Sequence, residues 1–158
     1  MTATISRPKI SNWETSNIPN LTGKTALITG ANSGLGYYTA KALAEKNAHV
    51  VIACRSLEKA NQTIKKLKGL NPEGLFTPLE LDLSDLKNIV EVQSKIFDNF
   101  ENLDLLINNA GIMHPPKTLS AQGYEIQFAV NHLAHMLLTL KLLPIIEKKE
   151  ESRIVTVT

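Results

Sequence analysis

An apolar run that ends on closely spaced glycines leaves this chain few architectures. Thr25-Ala26-Leu27-Ile28-Thr29 is followed directly by Gly30-Ala31-Asn32-Ser33-Gly34-Leu35-Gly36, and helical spacing through Leu35, Ala42 and Leu43 carries the pattern to Glu45. A second run, His49-Val50-Val51-Ile52-Ala53, is rich in β-branched residues. Strand, helix and strand therefore fit within about 30 residues, which is the unit that builds a parallel sheet.

The alternation continues along the chain. Ser56 is placed to cap a helix reaching about Leu67, Phe76-Thr77-Pro78-Leu79-Glu80-Leu81-Asp82-Leu83 reads as a strand, and Ser84 is the expected cap of a helix to about Phe97. Leu103 to Asn108 is a fourth strand, a Pro-containing loop follows, and a long helix is expected from about Tyr124 to Lys148 with Pro144 kinking or dividing it. Arg153 to Thr158 supplies the last strand. Strands separated by helical segments of about 10 residues or more predict an α/β fold, a doubly wound parallel sheet of about five strands with right-handed crossovers. Residues 1–20 are polar and aperiodic, with Pro8 and Pro19, and read as an irregular strap before a domain spanning 21–158. Either Trp13 and Ile18 pin that strap to the domain or it is a mobile tail.

In such a sheet a ligand binds at the carboxyl ends of the strands. Here those ends carry Thr29-Gly30, Cys54-Arg55, Asp82 and Asn108-Asn109-Ala110-Gly111, four polar or glycine-bearing termini in register. Gly30, Gly34 and Gly36 let backbone approach a pyrophosphate and aim helix N–H groups at its charge, while Thr29, Asn32 and Ser33 can hydrogen-bond the loop or a ribose-phosphate. A Walker loop is excluded because no Gly-Lys-Ser/Thr follows. Where a site for NAD places an acid on the adenosine ribose, this chain has Arg55, which suits a 2′-phosphate, so NADP(H) is favoured over NAD(H).

Composition narrows the function classes. The chain has 158 residues, 43% hydrophobic and 20% charged, as one globular domain requires. A net charge of +2 and eight aromatic residues (one Trp, three Tyr, four Phe) give neither a phosphate-tracking groove nor a stacking platform, so nucleic acid is not an expected partner. The single cysteine, Cys54, forms no disulfide framework within the chain and reads as a small buried hydrophobe. The start shows no apolar signal region and no uncharged apolar stretch approaches the roughly 18 residues of a membrane span, so a soluble, cytoplasmic protein is expected.

With these residues assembled, the chain resembles the short-chain dehydrogenases/reductases over about residues 20–158. Thr29 to Gly36 matches the family's T-G-x-x-x-G-x-G, and Asn108-Asn109-Ala110-Gly111 matches its N-N-A-G. Ile52 to Ser56, Leu81 to Asp85, Leu105 to Met113 and Phe128 to Thr139 resemble the retinol dehydrogenase-like members and their bacterial relatives, with Ala134-His135-Met136 standing where relatives usually have Gly-His-Phe.

The resemblance implies a Rossmann-type domain in which Gly30, Ser33, Gly34, Leu35 and Gly36 hold the pyrophosphate, with Asn32 beside them. It implies further that Arg55 holds the 2′-phosphate, that Asp82 and Leu83 border the adenine, and that Asn109, Ala110 and Gly111 border the nicotinamide-side ribose. Asn108 is expected to tie the central strands together. Asn131 falls on the catalytic asparagine, which organises a proton-relay water beside a catalytic lysine.

The implied activity is hydride transfer between nicotinamide and a small-molecule carbonyl or alcohol, with a Ser and a Tyr-x-x-x-Lys supplying the proton chemistry. By alignment those residues are expected after Thr158, which makes this chain the cofactor-binding portion of the enzyme. A catalytically inactive dinucleotide-binding or interaction module is the alternative, and family habit leaves a homo-oligomer open. Tyr37-Tyr38-Thr39-Ala40-Lys41 spells the catalytic pattern on the wrong helix, so Tyr37 or Tyr38 is expected against the sheet and Lys41 in solvent. His132 and His135, three apart on one helix, lack a third ligand at matching spacing, so no metal is expected. His114, just beyond the N-N-A-G loop, is a weaker candidate for facing substrate.

Overall fold

A computed structural model describes residues 12–158. Its five parallel strands are β1 (Thr25–Thr29), β2 (His49–Cys54), β3 (Phe76–Glu80), β4 (Leu105–Asn108) and β5 (Arg153–Thr156). They lie in the order β3-β2-β1-β4-β5, so chain order reverses between β1 and β4. The helices are α1 (Gly34–Ala44), α2 (Leu57–Leu70), α3 (Leu86–Asn99), a single turn α4 (Ile126–Phe128) and α5 (Ala134–Ile146). This is the doubly wound architecture the alternation predicted.

Strand side chains alternate between faces, and the two cores follow that alternation. Ala26, Ile28, Val50 and Ile52 bury against Ala40 and Leu43 of α1 and Ala60 and Leu67 of α2. Leu27, Val51 and Leu106 face the other way, against Ile89, Val92 and Ile96 of α3 and Ala134, Leu138 and Leu142 of α5. Burying each Leu or Ile stabilises the fold by roughly 1.5–3 kcal/mol, so both layers are needed to hold the sheet.

The outer strand β3 contains Pro78 opposite Ile52. Val50 donates to the Leu75 carbonyl and Leu81 donates to the Cys54 carbonyl, so the odd-numbered residues of this strand bond β2 and Pro78 faces outward. Its missing N–H therefore costs the ladder nothing.

Two expected helix boundaries are corrected. α3 is capped by Asp85, whose carboxylate accepts from the Lys87 N–H, and begins at Leu86. Ser84 cannot cap, because its hydroxyl (2.6 Å) and its N–H (2.9 Å) both donate to Asp82 Oδ1 in a local turn. The expected long helix is interrupted at Ala129–Leu133 by a π turn. Pro144 lies inside α5 near its end and does not divide it, since only one intrahelical N–H is lost there.

From Ile126 to Ile146 the helical run is 21 residues with mean hydropathy 1.4, long and apolar enough to cross a bilayer by length and composition, with Lys141 interrupting its uncharged stretch. Its inner face, Ala134, Leu138, Leu142, Ile145 and Ile146, is packed in the core. At the start of the described chain a 3-10 turn spans Thr15–Asn17, Ile18 packs against the α1 side of the sheet, and Trp13 is exposed. The strap is tied down through Leu21, which donates to the Lys46 carbonyl, and through Lys46, whose Nζ donates to the Ser16 carbonyl. The rest of the strap, residues 1–11, lies outside the described residues.

Candidate functional site

The reversal of strand order between β1 and β4 opens a crevice at their carboxyl ends, where a doubly wound sheet takes its ligands. The turn after β1 enters it with Gly30 at φ 66° and Gly34 at φ 53°, a region that glycine adopts without strain. Gly36 serves packing instead. A Cβ there would stand 2.5 Å from both the Gly30 carbonyl oxygen and Asn109 Nδ2, so only glycine lets α1 approach the β4 loop this closely.

The N-terminus of α1 differs from the others that open directly from loops. Ser56 accepts from Lys59 at the start of α2, Asp85 from Lys87 at α3, and Glu125 from Gln127 and Phe128 at α4. At α1, Ser33 makes no capping hydrogen bond and the first turn carries no acid. That helix end aims unmet N–H groups and its dipole outward from a glycine turn, which is the requirement for binding a phosphate.

Beneath the turn, Thr29 organises the β4 side. Its fully buried hydroxyl oxygen accepts from the N–H groups of Asn109 and Ala110, each at 2.9 Å, and lies 3.0 Å from Nε2 of the buried His135. Asn109 Nδ2 donates to the Thr29 carbonyl at 2.9 Å. The tie between the central strands expected of Asn108 is therefore made by Asn109. Asn108 Nδ2 instead donates to Thr139 Oγ1 on α5, and its buried Oδ1 has no partner among the described residues.

A groove of about 400 Å³ runs over these strand ends, lined in part by Gly30, Asn32, Arg55, Asp82, Leu83, Ala110 and Gly111. A second hollow of about 360 Å³ adjoins it, lined by Ser33, Leu35 and Asn109 together with Gly30, Asn32, Ala110, Gly111 and Val157. Of the expected site residues, Gly34 is exposed at the rim and Gly36 is buried beneath the turn. Arg55 is exposed at the mouth, and Asp82 commits Oδ1 to Ser84.

Asn131 lies in the π turn, and its side chain does not line the groove. Its Oδ1 accepts from the Ile112 N–H and its Nδ2 donates to the Ile112 carbonyl, both at 2.9 Å, which clamps the loop after β4 to the helical run. Gln127 Oε1 adds a bond from the His114 N–H farther along that loop.

Sequence reasoning missed Thr118, Ile126 and Val130, which line the groove from the Pro-containing loop and the start of the helical run. No local pattern marks them. Cys54 also lines the groove, with Sγ donating to the Ser56 carbonyl at 3.2 Å, and burial pushes its thiol pKa up.

The decoy pattern on α1 resolves as expected. Tyr37 is half-buried against the core, Tyr38 is exposed, and Lys41 pairs with Glu45 at 3.5 Å. His132 is exposed and stacks on Phe128 while His135 is buried, and among the described residues no cluster of His, Cys, Asp or Glu could hold a metal ion.

Comparison with known proteins agrees with this geometry. The chain is 41% identical over 136 residues to retinol dehydrogenase 13 of Homo sapiens, covering 86% of this chain but 41% of that protein, so it spans less than half of that relative's length. Its fold superimposes with TM-score 0.76 and 38% identity on the crystal structure of an uncharacterized protein from Mycobacterium paratuberculosis, covering 86% of this chain and 47% of that one. A metagenomic short-chain oxidoreductase in complex with NADP gives TM-score 0.77 at 25% identity, covering 88% and 63% of the two chains. A family model described as short chain dehydrogenase matches residues 24–158, and the chain belongs to that family.

Proposed function

We propose that the groove holds NADP(H), and that the chain is the nucleotide-binding part of an oxidoreductase interconverting a small-molecule carbonyl and an alcohol. The observation that carries this reading is the uncapped N-terminus of α1, set on a glycine turn at the reversal of strand order.

In this reading the N–H groups of Gly34, Leu35 and Gly36 receive the pyrophosphate, and Gly36 lets α1 sit close enough to the β4 loop to present them. Arg55 faces the 2′-phosphate, Asp82 and Leu83 border the adenine, and Asn109, Ala110 and Gly111 border the ribose next to the nicotinamide. Bound there, the nicotinamide supplies hydride to, or accepts it from, the reacting carbon. Asn131 serves that end as a positioning residue, fixing the loop beyond Gly111 through both atoms of its amide.

The family relationship and the NADP complex of the metagenomic relative support the cofactor class. The preference for the phosphorylated form rests on Arg55. A dinucleotide-binding module without turnover is the second reading, favoured by the position of the Tyr37 to Lys41 pattern away from the groove.

Titration of the chain with NADPH and NADH, followed by nicotinamide fluorescence, tests both readings. Saturable binding that is tighter for NADPH is the expected result, and no saturable change from a chain with native circular dichroism overturns the proposal. In Arg55→Asp, NADPH affinity is expected to fall about tenfold or more, as loss of a charged hydrogen bond of about 1.5–3 kcal/mol requires, with NADH little changed. Equal weakening of both would remove Arg55 from the 2′-phosphate.

A further inference from the structure

The contacts of His135 link two parts of the site. Its Nε2 lies 3.0 Å from Thr29 Oγ1, and its Nδ1 lies 3.4 Å from the Asn131 carbonyl oxygen. The Thr29 oxygen already accepts two N–H groups, from Asn109 and Ala110, and so has no lone pair left for a third donor. Its own proton can go to the Ile107 carbonyl at 3.5 Å or to His135 Nε2 at 3.0 Å. The shorter contact satisfies every group, and it requires an imidazole that is bare at Nε2 and protonated at Nδ1.

We propose that His135 is a positioning residue of the nucleotide seat. As the neutral Nδ1–H tautomer it accepts the Thr29 hydroxyl proton at Nε2, and it directs its own N–H to the Asn131 carbonyl. This joins three segments: the end of β1, the Asn109-Ala110 backbone and the π turn carrying Asn131. The inference rests on the proposed reading of the groove. Burial disfavours a charged imidazole here, in keeping with a ring that accepts a proton from threonine. Neither partner carries a formal charge. One nitrogen holds the rear of the cofactor loop and the other steadies the turn in which Asn131 clamps Ile112.

Nitrogen-15 NMR of the chain without nucleotide reads the tautomer directly. Protonated Nδ1 with bare Nε2 is the expected result, and the reverse tautomer overturns the proposal. Amide hydrogen exchange then reads the loop. His135→Leu is expected to speed exchange at Asn109 and Ala110, and His135→Gln, which keeps an acceptor and a donor, to restore most of the protection. Thr29→Ser should behave as the wild type, and Thr29→Val, which removes the acceptor of both N–H groups, should speed exchange more than His135→Leu.

With nucleotide added, His135→Leu is expected to bind NADPH about tenfold more weakly, in line with one buried hydrogen bond lost. Unchanged exchange at Asn109 and Ala110 in a folded His135→Leu chain overturns the positioning role. Failure of the wild type to bind NADPH overturns the reading of the groove, while the tautomer and the exchange pattern still decide the role of His135.

Discussion

Three glycines show how far one hydrogen in place of a methyl group depends on its surroundings. An alanine at 36 would press its Cβ to 2.5 Å from the Gly30 carbonyl and from Asn109 Nδ2, so Gly36→Ala is expected to destabilise by about 1–3 kcal/mol. Gly34 has open space around it but φ 53°, so Gly34→Ala is expected to cost about 1 kcal/mol through backbone strain alone. Gly69, inside α2 with nothing near it, is the opposite case, and Gly69→Ala should stabilise by about 0.5–1 kcal/mol. Urea midpoints of the three variants check both order and sign. The glycine turn was legible because its meaning is local: a strand, three glycines and a helix follow one another between Thr25 and Ala44. The Thr29–His135 contact joins residues 106 apart in sequence, and no spacing rule reaches across that interval.

At the level of elements, the caps decide where helices begin, and they also give the chain a measurable response to acid. Asp85 is held below the usual carboxylate range first by the Gln122 side chain, whose Nε2 donates to Oδ1 at 2.6 Å, and then by the Lys87 N–H. Gln122 Oε1 accepts from the Leu86 N–H at 3.0 Å, so one side chain fastens the loop before α4 to the start of α3. Glu125 is held low by the N–H groups of Gln127 and Phe128. A carboxyl whose folded pKa lies below its unfolded one stabilises at neutral pH, and that stabilisation fades as pH falls below about 4. Asp85→Asn, which still caps, is therefore expected to lose less melting temperature between pH 7 and pH 3 than the wild type. Equal losses would show that Asp85 is not part of the acid response.

Ser84 was the expected cap, yet Asp82 and Asp85 on either side of it carry side chains equally able to cap a helix. Propensity cannot choose among them, because the choice is made by Asp82 capturing Ser84. The π turn was equally hidden. Apolar residues continue through it at spacing a helix would also show, and what marks the turn is the Ala134 N–H reaching the Ala129 carbonyl, five residues back instead of four.

For the whole molecule, the sheet is well covered at its centre and bare at one side. β5 is exposed along its length, with Ile154 and Val155, and Val157 just beyond it, each more than 40% accessible. For these 158 residues taken alone, unpaired backbone beside apolar side chains favours association, so their sedimentation is expected to show concentration-dependent self-association that Val155→Lys reduces. The doubly wound class was readable from the alternation of runs, since each run needed a partner layer for its inner face. Which strand lies outermost was not, because that depends on the reversal between β1 and β4.

The outward position of Pro78 limits what the β3 side of the sheet can do. Of the outward-facing residues 76, 78 and 80 on β3, the middle one has no N–H to offer another strand, so this strand is a poor template for a further one. Copies of the chain cannot be laid against it in an unbroken ladder, and a sheet shared between molecules would stop growing at this side.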